Sequence, residues 1–280
     1  MQQVPSPKKG RTIAVSGKGG SGKTMLVTII VKLLARNKNL NILAIDADSA
    51  ISLPYTLGVK TKKTVGEIRR EIIENPKIRA AIENVHIRTV ISDCLEAGDG
   101  FHLLAMGRPE GPGCYCSVND LLRYGIERLS KEFDLTIIDC EAGPEQISRR
   151  VAQGVDFLII VTDATVRGIH AASLIRTVAK ADEVMKSTRV GLVINKLKQE
   201  SNSIIETARQ SGLEILGYIP TDENISNYDL AGDPLIRLPD TSPSVVAVGD
   251  ILEEMDLWRD TSCAGNRRPR AEEPHIAPDR

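Results

Sequence analysis

Between Arg11 and Met255 the chain repeats one alternation, a short β-branched apolar run followed by a longer amphipathic or polar stretch. Eight runs read as strands: residues 12–15, 42–45, 85–91, 101–105, 135–138, 157–161, 190–194 and 215–219. Most are apolar without strict alternation, as strands covered on both faces are, whereas strands with one wet face alternate. The pattern predicts an α/β fold, a doubly wound and mostly parallel sheet of seven to eight strands flanked by helices. Residues 25–36 and 245–258 read as helices, and 54–84, interrupted by Pro76, as an inserted pair of short ones. The sequence predicts one domain over 11–256, with flexible tails at 1–10 and 257–280, where apolar residues are too few to order the chain.

Composition narrows the possible partners. Thirty-six Lys and Arg against thirty-seven Asp and Glu leave a net charge of −1, so nothing in the chain as a whole draws it to nucleic acid. The last helix carries Asp250, Glu253, Glu254 and Asp256 and would be repelled by an anionic bilayer. Neither a nucleic-acid nor a membrane partner is expected. Lys8, Lys9 and Arg11 are not followed by an apolar stretch of signal-peptide length before Gly17, which predicts a cytoplasmic protein. Five cysteines, an odd number, argue against a disulfide framework and for structural thiols or metal ligands.

Directly after the first strand stands Gly17-Lys18-Gly19-Gly20-Ser21-Gly22-Lys23-Thr24, and a helix follows. Such a loop turns successive backbone N–H groups around phosphate oxygens at the positive end of a helix. Gly17, Gly19 and Gly22 also satisfy the dinucleotide pattern G-x-G-x-x-G, with Asp46 at a suitable distance downstream. Lys23 and Thr24 decide between the two: an ammonium for the β- and γ-phosphates and a hydroxyl for Mg²⁺ suit ATP, and a dinucleotide loop needs neither. Asp46 and Asp48 follow the second strand, where carboxylates face the ligand crevice of such sheets, the alternative being that Asp48 or Ser49 caps a helix. The run 135–138 ends in Asp139, with Gly143 four residues on. This fits a Mg²⁺ ligand followed by a glycine whose backbone senses the γ-phosphate.

With Lys18 present as a second lysine, the loop resembles the deviant Walker A ATPases, which include the MinD, ParA and nitrogenase iron-protein families. The resemblance implies an ATP-promoted homodimer in which Lys18 crosses to the partner protomer's nucleotide. It implies that Asp48 orients the attacking water and that Asp46 is an outer Mg²⁺ contact. It further implies that Asn195, Pro220 and Asp222 cradle the adenine of ATP or ADP, with the asparagine amide on the ring edge. Cys140 and Glu141 depart from the small and proline residues common at those positions.

Cys114 and Cys116 stand two apart after Gly111-Pro112-Gly113, a spacing that turns both thiols to one side of an extended segment. Two ligands leave a soft-metal site half complete, and a two-fold axis would supply the other two. Otherwise the pair is two buried free cysteines. The string Met106-Gly107-Arg108-Pro109-Glu110-Gly111-Pro112-Gly113-Cys114-Tyr115-Cys116, with Asp139-Cys140-Glu141-Ala142-Gly143, resembles the CooC-type ATPases. That resemblance implies a metallochaperone holding one Ni²⁺, or Zn²⁺, between protomers and serving a nickel–iron–sulfur apoenzyme. An iron–sulfur carrier or ATP-gated electron donor, and a MinD- or ParA-like positioning ATPase, are the alternatives.

Overall fold

The computed structural model describes residues 10–75, 87–108, 123–124, 126–143, 155–181, 188–198, 202–255 and 257. Its strands are β1 (Arg11–Gly17), β2 (Ile42–Asp46), β3 (Leu95–Ala97), β4 (His102–Ala105), β5 (Leu135–Asp139), β6 (Phe157–Asp163), β7 (Arg189–Leu197) and β8 (Glu214–Pro220). They form one eight-stranded sheet in the order β3-β4-β2-β5-β1-β6-β7-β8. Only the edge strand β3 is antiparallel to its neighbour. The doubly wound reading of the sequence therefore holds.

Helices cover both faces, which explains the unbroken apolar runs. Neighbouring residues of a strand point to opposite faces. Thus Ile13, Val15, Ile159 and Val161 enter one core while Ala14, Leu158 and Ile160 enter the other. The first core is closed by α1 (Lys23–Leu34) and α8 (Pro243–Glu254), the second by α3 (Val65–Glu74), α5 (Val166–Ala181) and α6 (Asn202–Gln210). Helix α1 is rich in β-branched residues that favour strands, yet it is buried along nearly its whole length. Burial between the sheet and α8 overrides that weak preference. The short α2 (Leu53–Leu57) and α3 both precede Pro76, and residues 76–86, which hold the second half of the expected helical pair, lie outside the described residues. A reciprocal capping box starts α3: the Thr64 hydroxyl accepts from Glu67 N–H, and the Glu67 carboxylate accepts from Thr64 N–H at 2.7 Å.

One strand assignment is corrected. Residues 85–91 were expected to be extended, but Ile87–Ser92 is a helix, α4, and the edge strand is Leu95–Ala97. A short apolar run has no periodicity of its own to separate the two states. The contacts of Ile91, fully buried in the second core, go with the helix. The tails, except Gly10 and Leu257, and the pair Cys114 and Cys116 lie outside the described residues. Among the described residues no helix is long and apolar enough to cross a membrane.

Candidate functional site

All seven parallel strands end on one edge, and the sequence candidates gather there. Gly17 ends β1, Asp46 ends β2, Asp139 ends β5, Asn195 lies near the end of β7 and Pro220 ends β8. The loop from Gly17 to α1 carries positive φ at Gly17, Gly20 and Gly22. Two of these glycines admit no side chain. A Cβ on Gly17 would sit 2.1 Å from the Val161 carbonyl oxygen, and one on Gly22 would sit 2.2 Å from Asn195 Nδ2. The loop is thus pressed against β6 and β7 and leaves its other side open to a cleft of about 590 Å³. Gly19, Gly20, Gly22, Lys23, Thr24 and Asp48 line that cleft, together with Asn195, Pro220 and Asp222.

The phosphate end carries unmet polar demand. Lys23 is buried, and its ammonium makes one long hydrogen bond among the described residues, to the Lys18 carbonyl at 3.4 Å. The Thr24 hydroxyl donates to Asp139 Oδ2 at 2.6 Å, so in the 3.3 Å contact between Thr24 Oγ1 and Ser52 Oγ the hydrogen must be the serine's. One lone pair of Thr24 stays open. Asp139 Oδ1 is buried without a partner among the described residues. Burial pushes the Asp139 carboxyl up to about 7, against the Thr24 hydrogen bond, and the nearby Asp46 charge pushes the same way. Asp46, paired with Asp139 across the sheet, is pushed up to about 6 by burial, against its backbone hydrogen bonds.

Two carboxyls that resist ionising beside each other, an orphaned carboxylate oxygen and an open hydroxyl lone pair form a donor set for a hard divalent cation. The residues therefore fit Mg²⁺, held by Thr24 and Asp139. Asp46 has another duty in this structure. Its Oδ1 accepts from Asp48 N–H and its Oδ2 from Leu53 N–H, both at 3.0 Å, so it ties down both ends of the loop before α2. Asp48 lines the cleft while accepting from Ala50 N–H at 2.9 Å. Neither Asp48 nor Ser49 caps α2, whose N-cap is Ser52; Asp48 closes a local turn with one carboxylate oxygen and leaves the other free of that bond. Lys18 is exposed and lies outside the cleft lining. Gly143 has φ +109° with open space around it, and Ala142 beside it reaches the cleft.

The base end is built differently. Asn195 Nδ2 donates to the Ser21 carbonyl at 2.8 Å, and its Oδ1 accepts from Lys196 N–H at 2.8 Å. The amide expected on an adenine edge buttresses the phosphate loop with one N–H and lines the cleft, and Lys196 Nζ adds a bond to the Gly20 carbonyl at 3.2 Å. Asp222 caps α7 (Glu223–Ala231) through Asn224 N–H and accepts from the Ser242 hydroxyl and from Ser244 N–H at 2.9 Å. Burial alone would raise its carboxyl, but these hydrogen bonds outweigh it and hold the group below its ordinary range. Ser52 and the α7 residues Ile225 and Asp229, which line or organise the cleft, carry no signal in the sequence, and Lys196 is marked there only as the neighbour of Asn195. Polar loop residues carry no motif until the fold brings them together. Cys140 is buried, its thiol pushed up to about 12 by burial, as expected of a small core residue.

Residues 12–235 match the family model described as the CobQ/CobB/MinD/ParA nucleotide binding domain. An uncharacterized ATP-binding protein of Methanocaldococcus jannaschii is 43% identical, over 87% of this chain and 97% of its own. The carbon monoxide dehydrogenase accessory protein CooC of Rhodospirillum rubrum is 29% identical, over 79% and 87%. In fold, the chain is similar to the cell division ATPase MinD of Pyrococcus furiosus, with a TM-score of 0.65 at 22% identity over 88% of this chain and 98% of that one. With the sheet, the phosphate loop and the family match in agreement, the chain belongs to the CobQ/CobB/MinD/ParA family of nucleotide-binding proteins.

Proposed function

We propose that this protein is an ATP-hydrolysing metallochaperone whose ATP-bound homodimer holds one metal ion through Cys114 and Cys116 of each protomer and passes it to a nickel–iron–sulfur apoenzyme. One observation carries the reading. The chain segment leading to the two cysteines leaves the sheet beside the nucleotide edge, because Met106 N–H donates to the Asp46 carbonyl at 2.8 Å directly after β4. The likeness to a carbon monoxide dehydrogenase accessory protein over most of both chains supports the same class of client. Nickel is the cargo here, and thiolates that accept it also accept zinc.

Within the cleft, the loop amides and Lys23 bind and orient the triphosphate, and Asp48 orients the attacking water. Magnesium, bound by Thr24 and Asp139, would offset charge on the phosphoryl group being transferred. The exposed Lys18 is free to reach a second protomer. Anaerobic size-exclusion chromatography with element-specific detection after adding Ni²⁺ tests the cargo. One metal per dimer, lost in the Cys114→Ser/Cys116→Ser double variant, is expected. Iron with sulfide would favour the cluster carrier instead, and no metal in either protein would return the cysteines to a structural role. Asp48→Ala should accumulate an ATP-bound dimer, so a monomeric elution with ATP and Mg²⁺ would count against gating.

A further inference from the structure

The hydrolytic reading leaves Glu141, two residues past Asp139, without a task. Its surroundings supply one. Asp46 and Asp139 are register partners on β2 and β5, and Ala47 N–H donates to the Asp139 carbonyl at 2.9 Å. The two chains therefore leave the sheet side by side, and three residues past Asp46 meets two residues past Asp139. There the Ser49 hydroxyl donates to Glu141 Oε1 at 3.2 Å. The other restraints on loop 47–52 act at its ends and within its own turn: Asp46 holds both ends, Asp48 accepts from Ala50 N–H at 2.9 Å, Ile51 N–H donates to the Asp48 carbonyl at 3.2 Å, and Ser52 leans on Thr24. Among the described residues Ser49–Glu141 is the side-chain bond that ties the middle of this loop to the loop after β5. Ile51 has φ +51°, a left-handed conformation costly for a β-branched residue and sustained only where the surroundings impose it.

We propose that Glu141 is a positioning residue: by holding Ser49 it fixes the strained loop that carries Asp48, so that the water-orienting acid and the glycine-bearing loop after β5 keep one arrangement. At 3.2 Å the bond from the half-buried Ser49 hydroxyl to Glu141 is long, which suits a contact that biases the loop toward one conformation and breaks when that loop moves. The proposal rests on Asp48 orienting the water, and the experiment keeps the two apart.

Steady-state ATP hydrolysis is measured for Asp48→Asn, Ser49→Ala, Glu141→Ala, Glu141→Gln and the Ser49→Ala/Glu141→Ala double variant. Wild-type turnover in Asp48→Asn would remove the premise. With that premise intact, Ser49→Ala and Glu141→Ala should each lower kcat about tenfold with little change in KM. The double variant should be no slower than the worse single one, and Glu141→Gln, which keeps an acceptor for Ser49, should recover most of the loss. Losses that multiply to about a hundredfold, a change confined to KM, or a Glu141→Gln variant as slow as Glu141→Ala would overturn the proposal.

Discussion

The two ends of the cleft answer polar chemistry in opposite ways. At the phosphate end, Lys23, Thr24 and Asp139 keep donors, a lone pair and a carboxylate oxygen unpaired in a buried setting. At the base end, Asn195 and Asp222 have turned their polar atoms to the protein itself. Leaving buried polar groups unpaired costs stability, so an unmet set marks where a ligand completes the structure. A satisfied set marks a scaffold. The charged part of a nucleotide should therefore be gripped by side-chain chemistry, and its base by shape against Ile225 and Met25.

The largest expected effect breaks the demanding end. Lys23→Ala should lower ATP turnover by roughly 10²–10³-fold or more, because a preorganised cation facing developing charge is lost, while circular dichroism stays that of the folded protein. Normal turnover would remove the phosphate-loop assignment.

Next comes the carboxyl pair. Carboxyls raised from 3.8 to about 6 and about 7 hold protons in the folded state that the unfolded chain has released. Without ligand their contribution to the folded state is fully present below about pH 4 and is lost progressively as pH rises to about 7. Thermal melts of the ligand-free protein should fall in midpoint from pH 5 to pH 8, and Asp139→Asn should flatten that fall. The same variant should lose the stabilisation that Mg²⁺ with ATP gives the wild type at pH 8. An unchanged pH slope in Asp139→Asn would show that this group does not carry it.

The scaffold end should respond in stability rather than in choice of nucleotide. Asn195→Ala removes the brace under the phosphate loop and leaves the Ser21 carbonyl unpaired, for a loss of about 1–3 kcal/mol in urea denaturation. The preference for ATP over GTP should stay as it was, and a selective loss of ATP binding would assign the amide to the base after all. Smallest of all, Leu230 projects from α7 at 87% exposure, and Leu230→Ser should stay within about 0.5 kcal/mol of the wild type.

Much of this contrast was legible before the fold was known, and the illegible part has a common cause. Apolar runs long enough to be covered twice announced the parallel strands, and the glycines with Lys23 and Thr24 announced the phosphate loop, because a steric requirement or an ion's chemistry restricts those positions locally. The run 85–91 read as a strand because seven residues, four of them apolar, carry too little periodicity, and only the second core makes Ile91 helical. Ser49, Ser52 and Glu141 are ordinary polar residues far apart in sequence, and their contacts exist only where β2 and β5 lie in register.

By itself, then, the chain determined the α/β class, the nucleotide loop and the acids at the strand ends, since local sterics and hydrophobic patterning act over a few residues. Tertiary structure alone decided which polar groups stay unpaired. Asn195 and Asp222 became braces, and Asp139 kept a free oxygen, because hydrogen-bond satisfaction depends on neighbours that arrive from the other end of the chain.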